Sequence, residues 1–238
     1  MISYASCTDV GGRPYNEDCV DYKQTGEDNL CVVLADGLGG HGGGEIASKE
    51  AVKLILDGWH GSATPASLCD LAQAAHRRIL TLQTPVCKMK TTVVILSITE
   101  GRAQWAHAGD SRLYHFIDGK LVYQTRDHSS SQIAVLMGQI KPEEIRFHED
   151  RSHIFRALGQ ENNMSADAKE QELSPGRHAF LLCTDGFWEY VYETEMEEEL
   201  RAAVSAKDWL ERMKHRLDGR ADQDNDNNTA AAVWLTVG

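Results

Sequence analysis

The chain has no C-x-x-C pair, no cluster of His with Cys, no internal repeat and no low-complexity linker. The first two absences exclude zinc-ribbon and thioredoxin-like readings. Six scattered cysteines (7, 19, 31, 69, 87 and 183) are then expected to be small buried hydrophobes in a reducing compartment. No stretch approaches the roughly 18 uninterrupted apolar residues of a membrane span. The start Met1-Ile2-Ser3-Tyr4 lacks the basic and apolar segments of a signal peptide. A soluble, cytoplasmic protein is expected. Cations are also in short supply, 24 Lys and Arg against 36 Asp and Glu, for a formal charge of −12. That balance argues against nucleic acid or an anionic membrane as partner, since both demand clustered Lys and Arg. A basic pocket for a single phosphate is not excluded.

What is present suits one globular domain over 1–238, with 42% apolar and 25% charged residues. Strand-like runs stand at Ile2–Cys7, Cys19–Tyr22, Leu30–Ala35, Thr91–Thr99, Ala103–Ala108, Leu113–Ile117, Leu121–Gln124, His178–Cys183 and Thr229–Val237. Asp118-Gly119 reads as a two-residue hairpin turn. Helical periodicity marks 45–58, 66–82, 193–204 and 206–217, with a further short helix at Ser129–Met137. Helices in pairs between runs of strands predict an α+β fold with antiparallel sheets, arranged as a layered sandwich.

Four apolar runs end at, or begin from, an Asp: Asp36 after Val32–Ala35, Asp110 after Trp105–Gly109, Asp185 after Phe180–Thr184, and Asp226 before Thr229–Val237. Taken singly, each is explained as well by turn chemistry, and Asp118-Gly119 is read that way. Together they suggest acids gathered on one rim, where like charges repel unless protonated or held by cations. Carboxylates without His or Cys suit hard cations, Mg²⁺ or Mn²⁺. Asp222–Asp226 lacks the offsets of an EF-hand loop, and two of its three acids read as solvated. Arg13, in Arg13-Pro14-Tyr15-Asn16-Glu17-Asp18, could grip a phosphate beside such a rim, although on spacing alone an exposed surface Arg explains it better. Two cations bridged by a water would supply a nucleophile for attack on phosphorus.

These segments resemble the metal-dependent protein phosphatase family, the protein phosphatase 2C type, and in particular its compact bacterial members. The resemblance is carried by Arg13-x-x-Asn16-Glu17-Asp18, Ala35-Asp36-Gly37-Leu38-Gly39-Gly40-His41, Lys90-Thr91-Thr92, Ala108–Tyr114, Asp127-His128-Ser129, Arg156–Gly159, Cys183–Gly186 and Asp226–Thr229. It implies a four-layer αββα sandwich with a two-metal Mn²⁺ or Mg²⁺ centre at one edge. By resemblance Asp36 bridges both metals, Gly37 offers its carbonyl, and Asp185 and Asp226 complete one metal. Asp18, or Glu17, serves the other, Asp110 a weaker third shared with Asp185, and Arg13 holds the substrate phosphate. The segment 129–155 corresponds to a flap. The implied activity is hydrolysis of phosphoserine and phosphothreonine in proteins, by a monomer opposing a bacterial Ser/Thr kinase. Two departures stand out. Leu38 occupies the place where animal-type members carry a His, leaving leaving-group protonation to a metal-bound water or to His41. Lys90 replaces the usual Gly before Thr91-Thr92.

Two other readings fit parts of the sequence. Gly37-Leu38-Gly39-Gly40-His41-Gly42 fits the G-x-G-x-x-G dinucleotide pattern, but Asp36 abuts it and a second helix follows where a strand is required. A non-catalytic phosphoprotein-binding module on the same fold would be expected to have lost carboxylates that are all present. Bland readings are preferred elsewhere. His107 is read as a satisfied core histidine, His148 and His153 as exposed, Trp188 as core packing, and Glu193–Glu199 as a largely solvated helix start.

Overall fold

The computed structural model describes residues 2–38, 42–161 and 164–238. Strands β1 (Ile2–Asp9), β2 (Cys19–Thr25), β3 (Asn29–Ala35) and β4 (Gly37–Leu38) precede helices α1 (Gly44–Gly58) and α2 (Pro65–Leu82). Five strands follow: β5 (Lys90–Thr91), β6 (Val93–Thr99), β7 (Arg102–Ala108), β8 (Arg112–Ile117) and β9 (Lys120–Gln124). Then come α3 (Ser130–Leu136), a 3₁₀ turn at Pro142–Phe147, β10 (Asp167–Glu172) and β11 (Gly176–Cys183). The chain closes with α4 (Asp185–Trp188), α5 (Glu193–Ala202), α6 (Ala206–Asp218) and β12 (Asn228–Val237).

The strands form two five-stranded antiparallel sheets, ordered β1-β12-β11-β8-β9 and β10-β7-β6-β3-β2, and a small β4-β5 pair. Period-2 alternation in β3 explains the layering. Cys31, Val33 and Ala35 pack with α1 and α2, whereas Leu30, Val32 and Leu34 meet Phe180, Leu182, Ala231 and Val233 of the other sheet. The outer face of that second sheet, with Tyr114, Phe116 and Leu181, is covered by Trp209, Leu210 and Met213 of α6 and Met196 and Leu200 of α5. The order is therefore helices, sheet, sheet, helices, as expected. Each buried Val, Leu or Ile in these layers contributes roughly 1.5–3 kcal/mol over leaving it exposed.

Local signals set the helix starts. Thr64 caps α2, its hydroxyl accepting the Ser67 N–H at 3.2 Å while Ser67 Oγ accepts the Thr64 N–H at 2.8 Å, with Pro65 in the first turn. Ser205 caps α6 through the Asp208 N–H at 3.1 Å. Asp118 and Gly119 take φ of 49° and 79° between β8 and β9, the paired left-handed turn that Asp-Gly favours.

The sequence missed β10 and α4. Strand β10, Asp-Ala-Lys-Glu-Gln-Glu, is a polar edge strand that pairs only with β7, so neither of its faces needs an apolar alternation. The acidic run is the main correction. Glu195 is buried and Glu193, Glu197 and Glu199 are mostly covered, because α6 and its neighbours aim Arg146, Arg201, Arg216 and Arg220 at them. His148 is half-buried rather than exposed, whereas His153 is exposed. No described helix is long and apolar enough to cross a membrane.

Candidate active site

Strand registers bring the sequence-predicted acids to one end of the sandwich. Cys19 pairs with Ala35, which sets Asp18 beside Asp36 at the ends of β2 and β3. Val93 pairs with Ala108, so the loop carrying Asp110 lies next to Thr92. In the facing sheet Cys183 pairs with Ala230, placing Asp185 near the 226–228 turn. Thr184 joins the two sheets here: its hydroxyl donates to Asp18 Oδ2 at 3.0 Å and its N–H to the Thr229 carbonyl at 3.0 Å.

Two glycines permit the backbone approaches this requires. A Cβ on Gly37 would lie 2.4 Å from the Gly44 carbonyl oxygen and 2.5 Å from that of Glu17. A Cβ on Gly186 would lie 2.1 Å from the Asn227 carbonyl oxygen. Neither partner is a flexible side chain, so neither position accepts another residue without backbone movement.

The result is a cleft of about 790 Å³ lined by Arg13, Glu17, Asp36, Asp110, Asp185 and Asp226, among others. Its electrostatics are those of crowded carboxylates. Burial, followed by the charges of Asp18, Asp185 and Asp110, pushes Asp36 well above the usual carboxylate range. Burial and then Asp185 push Asp110 the same way. Asp185 is raised by burial and Asp226, and Asp18 is pushed up to about 7, mainly by burial against two lowering hydroxyl contacts. Asp18 Oδ1 is buried with no hydrogen-bond partner. A buried, orphaned carboxylate oxygen facing further acids is the signature of a place suited to a cation. Among the described residues no group of three or more His, Cys, Asp or Glu side chains is placed to hold a metal ion as it stands, so the convergence is one of charge and cleft.

Arg13 stands at the mouth, its guanidinium donating to Asp226 Oδ2 at 2.8 Å, both side chains about half exposed. Arg13 is thus a half-exposed Arg that also borders the acidic cleft. Glu17 lines the cleft, and its backbone is fixed by Gly37 N–H at 3.2 Å and Ser48 Oγ at 2.6 Å, both donating to its carbonyl. Leu38 also lines the cleft and offers no proton. His41 lies outside the described residues. From segment 129–155, Ser152, His153 and Ile154 reach the cleft. That segment is tied beneath by Arg146, which donates to the Trp188 carbonyl and to Glu193 Oε2, each at 2.5 Å.

Sequence reasoning passed over three supports. Asn227 donates to the Val10 and Tyr15 carbonyls at 2.8 and 3.0 Å and accepts the Glu17 N–H at 2.8 Å, clasping the Arg13 loop to the Asp226 turn. Trp188, in the core as expected, also donates its indole N–H to the Asp110 carbonyl at 2.9 Å. Arg112 lies 3.5 Å over the Trp188 ring and grips Asp127 with two bonds of 2.8 and 2.7 Å. Arg112 and Asn227 stand within segments that carry the family resemblance, but a buried side-chain hydrogen bond leaves no period or spacing in a sequence, so nothing marked these roles. The reading of His107 as a satisfied core histidine holds in part: it is buried, bonded to the Arg126 carbonyl at 2.9 Å and stacked on His128, but its Nδ1 is buried without a hydrogen-bond partner. The dinucleotide rival fails on topology, because the strand before the glycines lies in an antiparallel sheet rather than a parallel βαβ unit.

Comparison with known proteins agrees with this geometry. A family model described as protein phosphatase 2C matches residues 11–227. A putative protein phosphatase 2C-type of Streptococcus pyogenes is 32% identical over 92% of each chain. The serine/threonine phosphatase stp of Listeria welshimeri is 27% identical over 90% of this chain and 88% of its own. Among solved structures, the Mycobacterium tuberculosis serine/threonine phosphatase PstP/Ppp superposes with a TM-score of 0.83 at 32% identity, covering 99% of both chains. On matched sequence and fold together, the chain belongs to the protein phosphatase 2C family.

Proposed function

We propose that the chain is a Mn²⁺- or Mg²⁺-dependent phosphatase that hydrolyses phosphoserine and phosphothreonine in proteins through a two-metal centre. That it is a phosphoprotein phosphatase follows from its family; the metal count, the residue roles and the opposing kinase are the proposal. The observation that carries it is the convergence of buried Asp18 and Asp110 with half-buried Asp36 and Asp185, with Asp18 Oδ1 unpartnered, beside the guanidinium of Arg13. A related catalytic domain, that of PstP at 29% identity and TM-score 0.82, is described in complex with 2 manganese ions.

Asp36, Asp185 and Asp226 with the Gly37 carbonyl, Asp18 (or Glu17) and Asp110 would hold the ions. When bound, the ions would offset the repulsion among these carboxylates, polarise the phosphoryl group and supply the nucleophile at neutral pH. The chain's own groups do the rest. Arg13 swings its fork from Asp226 to the non-reacting phosphate oxygens. Thr184 keeps Asp18 oriented, and the Trp188 indole fixes the Asp110 carbonyl so that its side chain faces the cleft. Leu38 offers no proton where animal-type members carry a His, so protonation of the leaving oxygen would fall to a metal-bound water or to His41, which lies outside the described residues. A cytoplasmic monomer with neither nucleic acid nor membrane as partner is the setting that fits an acidic chain of this kind.

The test is hydrolysis of an aryl phosphate and of a phosphothreonine peptide with Mn²⁺, with and without chelator. Turnover that needs the metal supports the reading. Metal-independent turnover, or full activity in Asp185→Asn and Asp226→Asn, overturns it.

A further inference from the structure

Three Lys or Arg residues line the cleft among the described residues: Arg13, Lys88 and Lys90. Two are already engaged, Arg13 with Asp226 at 2.8 Å and Lys88 with Glu161 at 2.6 Å. Lys90 makes no ion pair with any described residue. It does act at a distance on Glu161, whose pKa is lowered first by the Lys88 hydrogen bond and least by Lys90. It is therefore the uncommitted cation of a cleft otherwise dominated by acids.

Its place is fixed by backbone. Lys90 pairs with Leu38 and Thr91 with Gly37 across the small β4-β5 pair. Thr91 Oγ1 donates to the Asp36 carbonyl at 2.8 Å, and Thr91 exchanges backbone bonds with Leu158 at 3.1 and 2.8 Å. From Asp36 to Leu38 is two residues of extended chain, roughly 7 Å, and the partner strand lies about 5 Å to the side. A peptide bound in extended form carries successive residues about 3.3 Å apart. At that offset from Asp36 a Lys side chain comes within reach of groups that flank the phosphoresidue in an extended peptide.

We propose that Lys90 is a specificity-determining residue, which selects substrates carrying an anionic group, a carboxylate or a second phosphate, within about three residues of the phosphorylated Ser or Thr. The inference rests on the phosphatase reading above. It also runs against the bulk electrostatics, since a chain of net charge −12 attracts basic peptides over its surface as a whole.

The experiment compares phosphothreonine peptides that differ only in flanking residues: Ala, Asp, Lys, or a non-hydrolysable phosphonate side chain. The wild-type protein with Mn²⁺ is expected to favour the Asp over the Ala peptide about twofold to fivefold in kcat/KM, expressed mainly in KM, as one partly exposed charge pair allows. The ratio is expected to fall to about one in Lys90→Gln, to invert in Lys90→Glu and to persist in Lys90→Arg. Because it is a ratio, a loss common to all peptides cancels. A larger gain for the phosphonate than for Asp assigns the position to a second phosphate, and the reverse assigns it to a carboxylate. Turnover of an aryl phosphate by the wild type, with an Asp-to-Ala ratio that Lys90→Gln leaves unchanged, overturns this inference alone. No turnover of any substrate overturns the phosphatase reading with it.

Discussion

Acids gather in two places in this protein, and the two gatherings are built in opposite ways. On α5, Glu195 receives Arg220 through both oxygens at 2.6 and 2.9 Å, Arg216 at 3.2 Å and the Tyr192 N–H at 2.9 Å. Arg220 leads the effects that hold its carboxyl down at about 2. At the cleft, Asp36 and Asp110 have mainly one another and more acids for neighbours, and burial drives both up. One region supplies its own cations, and the other, on the function proposed above, takes them from bound metal ions. Carboxylate count cannot separate them; the partner set does.

Variants can break or sharpen the contrast. The largest effect is expected from Asp36→Asn or Asp185→Asn, a loss of kcat/KM on the order of a hundredfold or more, measured with Mn²⁺ on an aryl phosphate. In chelator the same variants should melt no lower than wild type, because each removes a like charge from a crowded rim. Glu195→Ala should do the reverse, leaving activity near normal while lowering unfolding free energy by about 2 kcal/mol in urea titration, since it takes from Arg220 its carboxylate partner while Arg216 keeps Glu198 and Glu199. A similar or smaller loss, about 1–2 kcal/mol with weaker activity, is expected for Trp188→Phe, which removes the bond to the Asp110 carbonyl and replaces the buried indole with a smaller ring. Smallest is Lys53→Ala on α1, an exposed pair with Asp57 at 2.8 Å, which should change stability by less than about 0.5 kcal/mol.

The pH dependence of the paired region has a definite sign. Glu195 has its folded pKa depressed from 4.5 to about 2. The unfolded chain binds the proton first as pH falls, so the stabilisation is complete above about 4.5 and is lost progressively toward 2. Glu195→Gln should flatten the fall in urea midpoint over that window, and an unchanged slope would mean that other acids govern it.

Much of the candidate site was legible because strands that end on Asp announce themselves: runs 32–35 and 180–184 stop at a carboxylate, a group an apolar core disfavours. The layered fold followed from paired helical periodicities. What was not legible depends on partners distant in sequence. The run Glu193–Glu199 looks solvated until Arg216 and Arg220, across α6, are known to face it. Strand β10 carries no alternation because an edge strand exposed on both faces needs none. Asn227 reads as a loop residue until its side-chain amide is seen holding two carbonyls of the β1–β2 connection.

The contrast between the two acidic regions is tested most directly by calorimetric titration of the chelator-treated protein with Mn²⁺. Uptake is expected in the wild type and in Glu195→Gln, and is expected to be lost or weakened at least about tenfold in Asp36→Asn. Uptake that Asp36→Asn leaves intact, or that Glu195→Gln abolishes in a folded protein, would contradict the assignment of the cleft acids to the metal.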